Sequence, residues 1–298
     1  MESAIGVLVA ERIAGALVID HKIASAVQSF PEHNSGSDAL QGMPSEIIVR
    51  RIVDVVKPLL TGSKPSAIGL GFPGIMRNGV IEDSPNLLQL KGVQIQNVLR
   101  EALAPVAAEI PVAIFNDADV VAAGLAATRG HLDRLIRVWT LGNGIGFGRY
   151  PFQEGIWEGG HLVVTLDPRE HFCGCGGKGH LEGIMGQRAM RLRFMDLEPE
   201  EVFEHAKQGD RRCIDFVKLW HRALAAASAN CIHLEGCGKF FITGMNSKYL
   251  NVTLLGDYLH EMVKLTPLQG YSLEIVPGGE EIALIGAAVN GLQSVERS

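Results

Sequence analysis

No stretch of this sequence holds the ~20 uninterrupted apolar residues needed to span a bilayer, so a membrane-embedded chain is not expected. The opening MESAIGVLVAERIAGALVID lacks a basic start and an A-x-A cleavage site. Glu11-Arg12 also interrupts its apolar stretch, so it does not read as a secretion signal. A formal net charge of -6 supplies no basic field for a phosphate backbone, and nucleic acid is not expected as the main partner. No G-x-x-x-x-G-K-S/T occurs, which excludes a P-loop. No repeat of 20–50 residues appears, which excludes a solenoid. Cysteine is scarce: there are five, an odd number, and two sit as Cys173-Gly-Cys175, a spacing that rarely satisfies disulfide geometry. A reduced, cytoplasmic setting with metal-binding thiolates is the expectation.

What is present suits a soluble α/β protein. The 298 residues, 47% hydrophobic and 20% charged, are long for one core and comfortable as two lobes. Ala4–Ala10 and Ile13–Ile19 read as a buried strand pair, and Ile23–Val27 as a possible third strand. A loop is expected over Glu32–Gly42. A helix follows over Ile47–Leu60 with Ser45 as N-cap. Ala67–Gly71 is a short strand, Asn78-Gly79 a hairpin turn, Val93–Leu103 a helix, Val112–Phe115 a strand and Ala118–Thr128 a helix. A second β-first half begins with strands Leu135–Leu141, Ile145–Tyr150 and Leu162–Leu166. Helices are expected over Leu181–Met195, Glu200–Lys207 and Arg211–Leu234. Strand Phe240–Thr243, helix Tyr249–Val263, strand Leu273–Val276 and helix Ile282–Leu292 complete the chain. Two halves of this kind predict two α/β lobes.

The densest chemistry is His161 together with Cys173-Gly-Cys175-Gly-Gly-Lys-Gly-His180. Two thiolates and two imidazoles form a closed Cys₂His₂ set, which suits a structural zinc ion; the bland alternative is a cysteine pair beside two surface histidines. Cys213, Cys231 and Cys237 are expected to be small core residues. Gly69-x-Gly71-x-x-Gly74 and Gly174-x-Gly176-x-x-Gly179 both match the dinucleotide fingerprint. Neither opens a helix as that fingerprint requires, so both are taken as chance.

Asn116-Asp117 follows the apolar strand Val112–Phe115 directly. A carboxylate there is placed to act as a general base toward a hydroxyl, or, equally, Asp117 or Asp119 caps the following helix. Glu158 and His161 flank a Gly-Gly pair and Glu182 follows the Cys/His stretch. Carboxylates accept hydrogen bonds from neighbouring hydroxyls, and a metal-held loop would fix them for a pyranose.

Together these residues resemble the ROK family (repressors, open reading frames and kinases), and the likeness runs along most of the chain. It is carried by Ile68-Gly-Leu-Gly-Phe-Pro-Gly74 with Ser84-Pro-Asn86-Leu87, and by Pro111-Val-Ala-Ile-Phe-Asn116-Asp117-Ala118, which is similar to a strand ending in E-N-D-A. Trp157-Glu158-Gly-Gly-His161 is similar to G-E-x-G-H. Cys173 through Glu182 is similar to C-G-C-G-x-x-G-C-x-E, with His180 at the third cysteine. The resemblance implies a two-lobed actin-like (ribonuclease H-like) sugar-kinase fold, with lobes over 1–117 and 118–280 and a C-terminal helix, 281–298, returning to the first. It implies transfer of the γ-phosphate of ATP, with magnesium, to a hexose or N-acylhexosamine. Asp117 would be the base, and Asn86, Asn116, Glu158, His161 and Glu182 would bind the sugar. Gly142, Asn143, Gly144 and Gly244 would bind the nucleotide, and His161, Cys173, Cys175 and His180 zinc. It further implies a homodimer. The run from His161 to Asp167 has the flavour of N-acetylmannosamine kinases.

The sequence departs from the family on the nucleotide side. Where family kinases begin with D-x-G-G-T, this chain reads Val7-Leu8-Val9-Ala10-Glu11-Arg12, with neither the acid nor the glycines. Asn143 stands where Thr is usual and Phe147 where Gly is usual. A sugar-binding pseudokinase is therefore the alternative to an active kinase. A DNA-binding repressor is not expected, because the first strand starts near Ala4 with no room before it for a helix-turn-helix.

Overall fold

The computed structural model describes residues 2–32, 39–84, 86–153, 155, 158–264 and 270–296. Most of the expected 32–42 loop, Pro85 and Trp157 lie outside the described residues. The chain forms two compact units: Met1–Ile136, Gly148–Ile156 and Gly279–Ser298 make the first, and Arg137–Phe147 and Trp157–Gly278 the second.

In the first unit, the alternating apolar runs at the start form β1 (Ser3–Val9) and β2 (Ile13–Ile19), paired antiparallel with Ser3 opposite Ile19 and Val9 opposite Ile13. β3 (Lys22–Ile23) and β4 (Gln28–Phe30) both pair with β2. The single strand expected over Ile23–Val27 is thus two short ones on either side of a break. Helix α1 (Ser45–Leu59) starts after Pro44, which is the N-cap and offers no side-chain cap; Ser45 is the first helical residue. β5 (Ile68–Phe72), the hairpin β6 (Ile75–Arg77) and β7 (Val80–Asp83), helix α2 (Ile95–Ala107), β8 (Val112–Asn116) and helix α3 (Asp117–Thr128) follow. Asn78 and Gly79 both have positive φ (51° and 79°), the backbone a two-residue hairpin turn needs. β1, β5 and β8 run parallel, giving the order β3-β2-β1-β5-β8 with β4 also on β2. One face of this sheet packs on α1 and α2 through an aliphatic core that includes Ile5, Val7, Ile48, Ile52, Leu70 and Leu99.

The second unit holds most of the sheet built from β9 (Ile136–Leu141) and β10 (Ile145–Tyr150), whose last three residues belong to the first unit. α4 (Glu182–Met185), α5 (Gln187–Arg193), α6 (Pro199–Lys207), α7 (Arg211–Glu235), β11 (Lys239–Thr243), α8 (Val252–Met262) and β12 (Ser272–Ile275) complete it. The strand order is β10-β9-β11-β12, with β11 and β12 parallel. Its core is more aromatic, with Trp139, Trp220, Phe203, Phe216 and Phe240 buried. Leu162–Leu166 is not a strand: among the described residues its ladder contact is a single bridge, Val163 to His180. The helix expected over Leu181–Met195 is broken at Gly186, whose ψ of 143° is extended. The helix expected from Tyr249 begins at Val252, behind the Asn251 cap.

The final helix α9 (Glu280–Glu296) belongs to the first unit, as does α3, where a boundary at 117 was expected. α3 is apolar on nearly every side, so it must be covered all round, and α9 covers part of it. Gly69 shows how closely α9 approaches: a Cβ there would stand 1.8 Å from the Ala287 carbonyl oxygen. Gly6, Gly124 and Gly286 make similarly tight backbone seams with the same helix or its neighbours. The glycine pattern of Gly69-x-Gly71-x-x-Gly74 is therefore a packing pattern. Gly69→Ala should destabilise the chain by at least ~3 kcal/mol, because the neighbour is backbone and cannot rotate away. Chemical denaturation checks this, and a midpoint equal to that of the wild type contradicts the seam.

Candidate functional site

The expected site residues divide between the units. Asn86, Asn116 and Asp117 lie in the first; Glu158, His161, Cys173, Cys175, His180, Glu182, Gly142, Asn143, Gly144 and Gly244 lie in the second.

In the first unit, β8 delivers Asn116 and Asp117 to the junction with α3. Asn116 is the helix N-cap: its Oδ1 accepts the Ala118 N–H at 2.8 Å, and its Nδ2 donates to the Gly74 carbonyl at 2.9 Å. Neither Asp117 nor Asp119 is the cap, and the side chain expected to orient a sugar holds the Gly74 turn against the helix. Asp117 Oδ1 also accepts the Ala118 N–H, at 2.9 Å. Asn86 is exposed on the loop after β7. In the β1–β2 hairpin, where a phosphate-binding turn would be expected, Arg12 forks onto Glu280 at the start of α9, Nε to Oε2 at 2.7 Å and Nη2 to Oε1 at 2.6 Å. Its guanidinium is thereby held by a bidentate carboxylate.

In the second unit, the Cys/His residues come together. The donor atoms of His161, Cys173, Cys175 and His180 all lie within 4.8 Å of one another. Cys173 Sγ is 3.3 Å from Cys175 Sγ, which is 3.2 Å from His180 Nδ1. The loop is built for this convergence. Gly179 has a positive φ of 72°, its N–H donates to the Glu170 carbonyl, and Glu170 in turn is salt-bridged to Arg193 of α5. Burial, with Cys175 and Glu182 as neighbours, pushes the Cys173 thiol up to about 12. Burial and the facing His161 hold the His180 imidazole below its ordinary range. Two thiols and two imidazoles packed this way suit a divalent cation that stabilises the thiolates, so the donor set fits zinc.

Glu158 and Glu182 flank the same cluster, with carboxylate oxygens 3.8 and 4.0 Å from the His161 ring nitrogens. Glu182 also reaches the glycine loop: its Oε2 accepts the Ile145 N–H at 3.0 Å. That loop is pinned further. Gly142 receives hydrogen bonds on its carbonyl from the Gln187 N–H and from Asn246 Nδ2, and Gln187 Nε2 donates to Asn246 Oδ1. Gly244, at φ 97°, packs against the Leu141 backbone so closely that a Cβ would meet its carbonyl oxygen at 2.4 Å. Gly142, Asn143, Gly144 and Gly244 are thus neighbours through β9 and β11. Asn246, 1% exposed, and Gln187 escaped the sequence reading because only the fold carries them to this loop.

Cys213 and Cys231 are buried as expected, while Cys237 is half-buried. Cys213 is less isolated than the sequence implies, since its donor atom lies within 4.8 Å of those of His205 and Asp210. There Asp210 Oδ1 is committed to the Cys213 N–H as the α7 cap. No helix among the described residues is long and apolar enough to cross a membrane.

The fold and this loop define a protein of the two-lobed sugar-kinase class. A ROK hexokinase from Thermus thermophilus superposes with a TM-score of 0.81 over 99% of this chain and 100% of that one, at 23% identity. The ROK family model matches residues 21–288, and the chain belongs to the ROK family. Among curated proteins, a glucokinase of Pyrobaculum calidifontis is 26% identical over 260 residues, covering 81% of this chain and 83% of its own. An N-acetylmannosamine kinase of Haemophilus influenzae is 30% identical over 137 residues, 43% of this chain and 44% of its own.

Proposed function

We propose that this protein is an ATP-dependent sugar kinase acting on a hexose or an N-acylhexosamine. The observation that carries the reading is the gathering of Glu158, His161 and Glu182 around a Cys/His cluster, in a chain of the ROK family. The likeness to a glucokinase and to an N-acetylmannosamine kinase supports the sugar class and leaves the choice between plain and N-acylated hexoses to experiment. Asp117 takes the proton of the acceptor hydroxyl as that oxygen attacks the γ-phosphorus. The bond to the bridging oxygen then breaks and ADP leaves. Positioning and charge stabilisation do most of the remaining work in phosphoryl transfer. The glycine loop Gly142–Gly144 and Gly244 hold the nucleotide, and magnesium accompanies it. His161, Cys173, Cys175 and His180 would hold zinc, which would fix the loop that carries Glu158 and Glu182 toward sugar hydroxyls. Asn116 caps the helix that begins at Asp117.

A second reading, a sugar-binding pseudokinase, is favoured by one observation: the hairpin without D-x-G-G-T commits its guanidinium, Arg12, to Glu280. Calorimetry separates the two. The kinase reading expects saturable binding of both a sugar and ATP–magnesium. Clear sugar binding with no detectable nucleotide binding removes it in favour of the pseudokinase. A thermal-shift panel of hexoses and N-acetylhexosamines identifies the sugar, because a ligand of the native state raises its melting temperature.

A further inference from the structure

The first turn of α3 carries a second carboxylate that the proposed reaction does not use. Asp119 sits two residues beyond Asp117 and is only 6% exposed. Its Oδ1 accepts the backbone N–H of Arg149 at 3.0 Å, which ties the end of β10 to α3. The join is tightened at Gly148, where a Cβ would stand 1.9 Å from the Ala118 carbonyl oxygen. Two charged groups face this carboxyl: Asp117, of like sign on its own helix, and Arg149 from β10. The hydrogen bond alone does not require an acid, because an amide oxygen would accept the same N–H. What an acid adds is a negative charge, in a water-poor setting, beside the proposed base.

We propose that Asp119 is a positioning residue for the proton transfer: it anchors the first turn of α3 to β10 and, when ionised, strengthens Asp117 as the acceptor of the hydroxyl proton. This rests on Asp117 being the base. Burial is the largest influence on Asp119 and pushes it up to about 7; the Asp117 charge adds to the rise, while the Arg149 N–H and guanidinium oppose it. Its charge therefore switches on near neutral pH. The coupling is reciprocal: if the charge of Asp117 makes Asp119 hold its proton more tightly, the charge of Asp119 acts likewise on Asp117. A more basic carboxylate takes the hydroxyl proton with more driving force. The kcat/KM of the wild type should consequently climb about three- to tenfold as pH rises through ~7.

The experiment is the pH profile of kcat/KM for the wild type, Asp119→Asn and Asp117→Asn, from roughly pH 5.5 to 9. Asp119→Asn keeps an oxygen for Arg149 and removes only the charge, so its profile should lack the limb near 7. A wild-type profile without that limb, or the same limb in Asp119→Asn, overturns the proposal. If Asp117→Asn keeps the wild-type rate, the base assignment itself fails, and the two failures are told apart. Thermal melts report on the fold. The folded carboxyl holds its proton well above the ordinary 3.8, so Asp119 itself costs stability that grows as pH rises from about 4 to 7, and the stability of Asp119→Asn relative to the wild type should rise over that range. Should that variant fail to fold, carboxyl NMR of the wild type and Asp117→Asn decides. The Asp119 titration should move to lower pH once its like-charged neighbour is gone, and an unmoved titration overturns the coupling.

Discussion

Asp117→Ala should lower kcat for sugar phosphorylation by about 1,000-fold, within the usual range for a lost general base, while the sugar dissociation constant changes only a few-fold. The substitution isolates chemistry because the helix start survives it. The Ala118 N–H that Asp117 Oδ1 accepts is accepted also by Asn116 Oδ1, so truncation leaves that N–H an acceptor and the cap remains. An ADP-release assay beside sugar calorimetry reads the two quantities separately. A rate equal to that of the wild type would remove Asp117 from the reaction. A large loss of sugar affinity at unchanged kcat would make it a binding group instead.

The second large effect concerns the Cys/His loop. The isolated protein should carry about one zinc per chain, and Cys175→Ser or exhaustive chelation should cost the second unit much of its stability and abolish sugar binding. The reason lies in the thiols. Two sulfurs 3.3 Å apart, one of them pushed to about 12, cannot share that space as thiolates without a cation, and structural zinc contributes on the order of 10 kcal/mol. A melting temperature lower by more than ~10 °C is the expected reading for a unit of this size. Binding displaces thiol protons, so zinc should be released as pH falls. Metal analysis together with melts before and after chelation checks this. A zinc-free protein that binds sugar normally would leave the loop a plain cysteine pair.

Much of this arrangement is legible in the residues. The β1–β2 hairpin shows in two apolar runs parted by Glu11-Arg12, and the Asn78-Gly79 turn in its dipeptide. The Cys/His cluster shows in its ligand types, because two thiolate and two imidazole donors within 20 residues leave few other uses. β8 and α3 were legible as an apolar strand running into an alanine-rich helix. What escaped depends on contacts distant in sequence. Nothing local to Gly69 reveals that α9, more than 200 residues later, will lie against it. Nothing near Asp119 reveals that Arg149 will approach. The helix over Leu181–Met195 looked continuous because its residues favour helix, yet at Gly186 the chain turns to pin the Gly142 loop, and that tertiary demand overrides propensity. Leu162–Leu166 carries strand-forming residues but among the described residues makes a single bridge, to His180, so it stays irregular. The resemblance assigns Asn116 to the sugar; its amide is also a good helix cap, and it caps α3.

Arg12 is instructive on the nucleotide side. The hairpin lacks the acid and glycines of D-x-G-G-T, and the arginine that could have met a phosphate is paired with Glu280. In the second unit Gln187, Asn246 and Glu182 hold the Gly142–Ile145 loop, which the proposed reading assigns to the donor.

The most direct test follows the phosphorus by ³¹P NMR, with purified protein, ATP–magnesium and the sugar that gives the largest thermal shift. The account predicts a growing sugar-phosphate resonance matched mole for mole by ADP, and none with Asp117→Ala. A sugar that binds tightly while the ATP signals stay unchanged would contradict it.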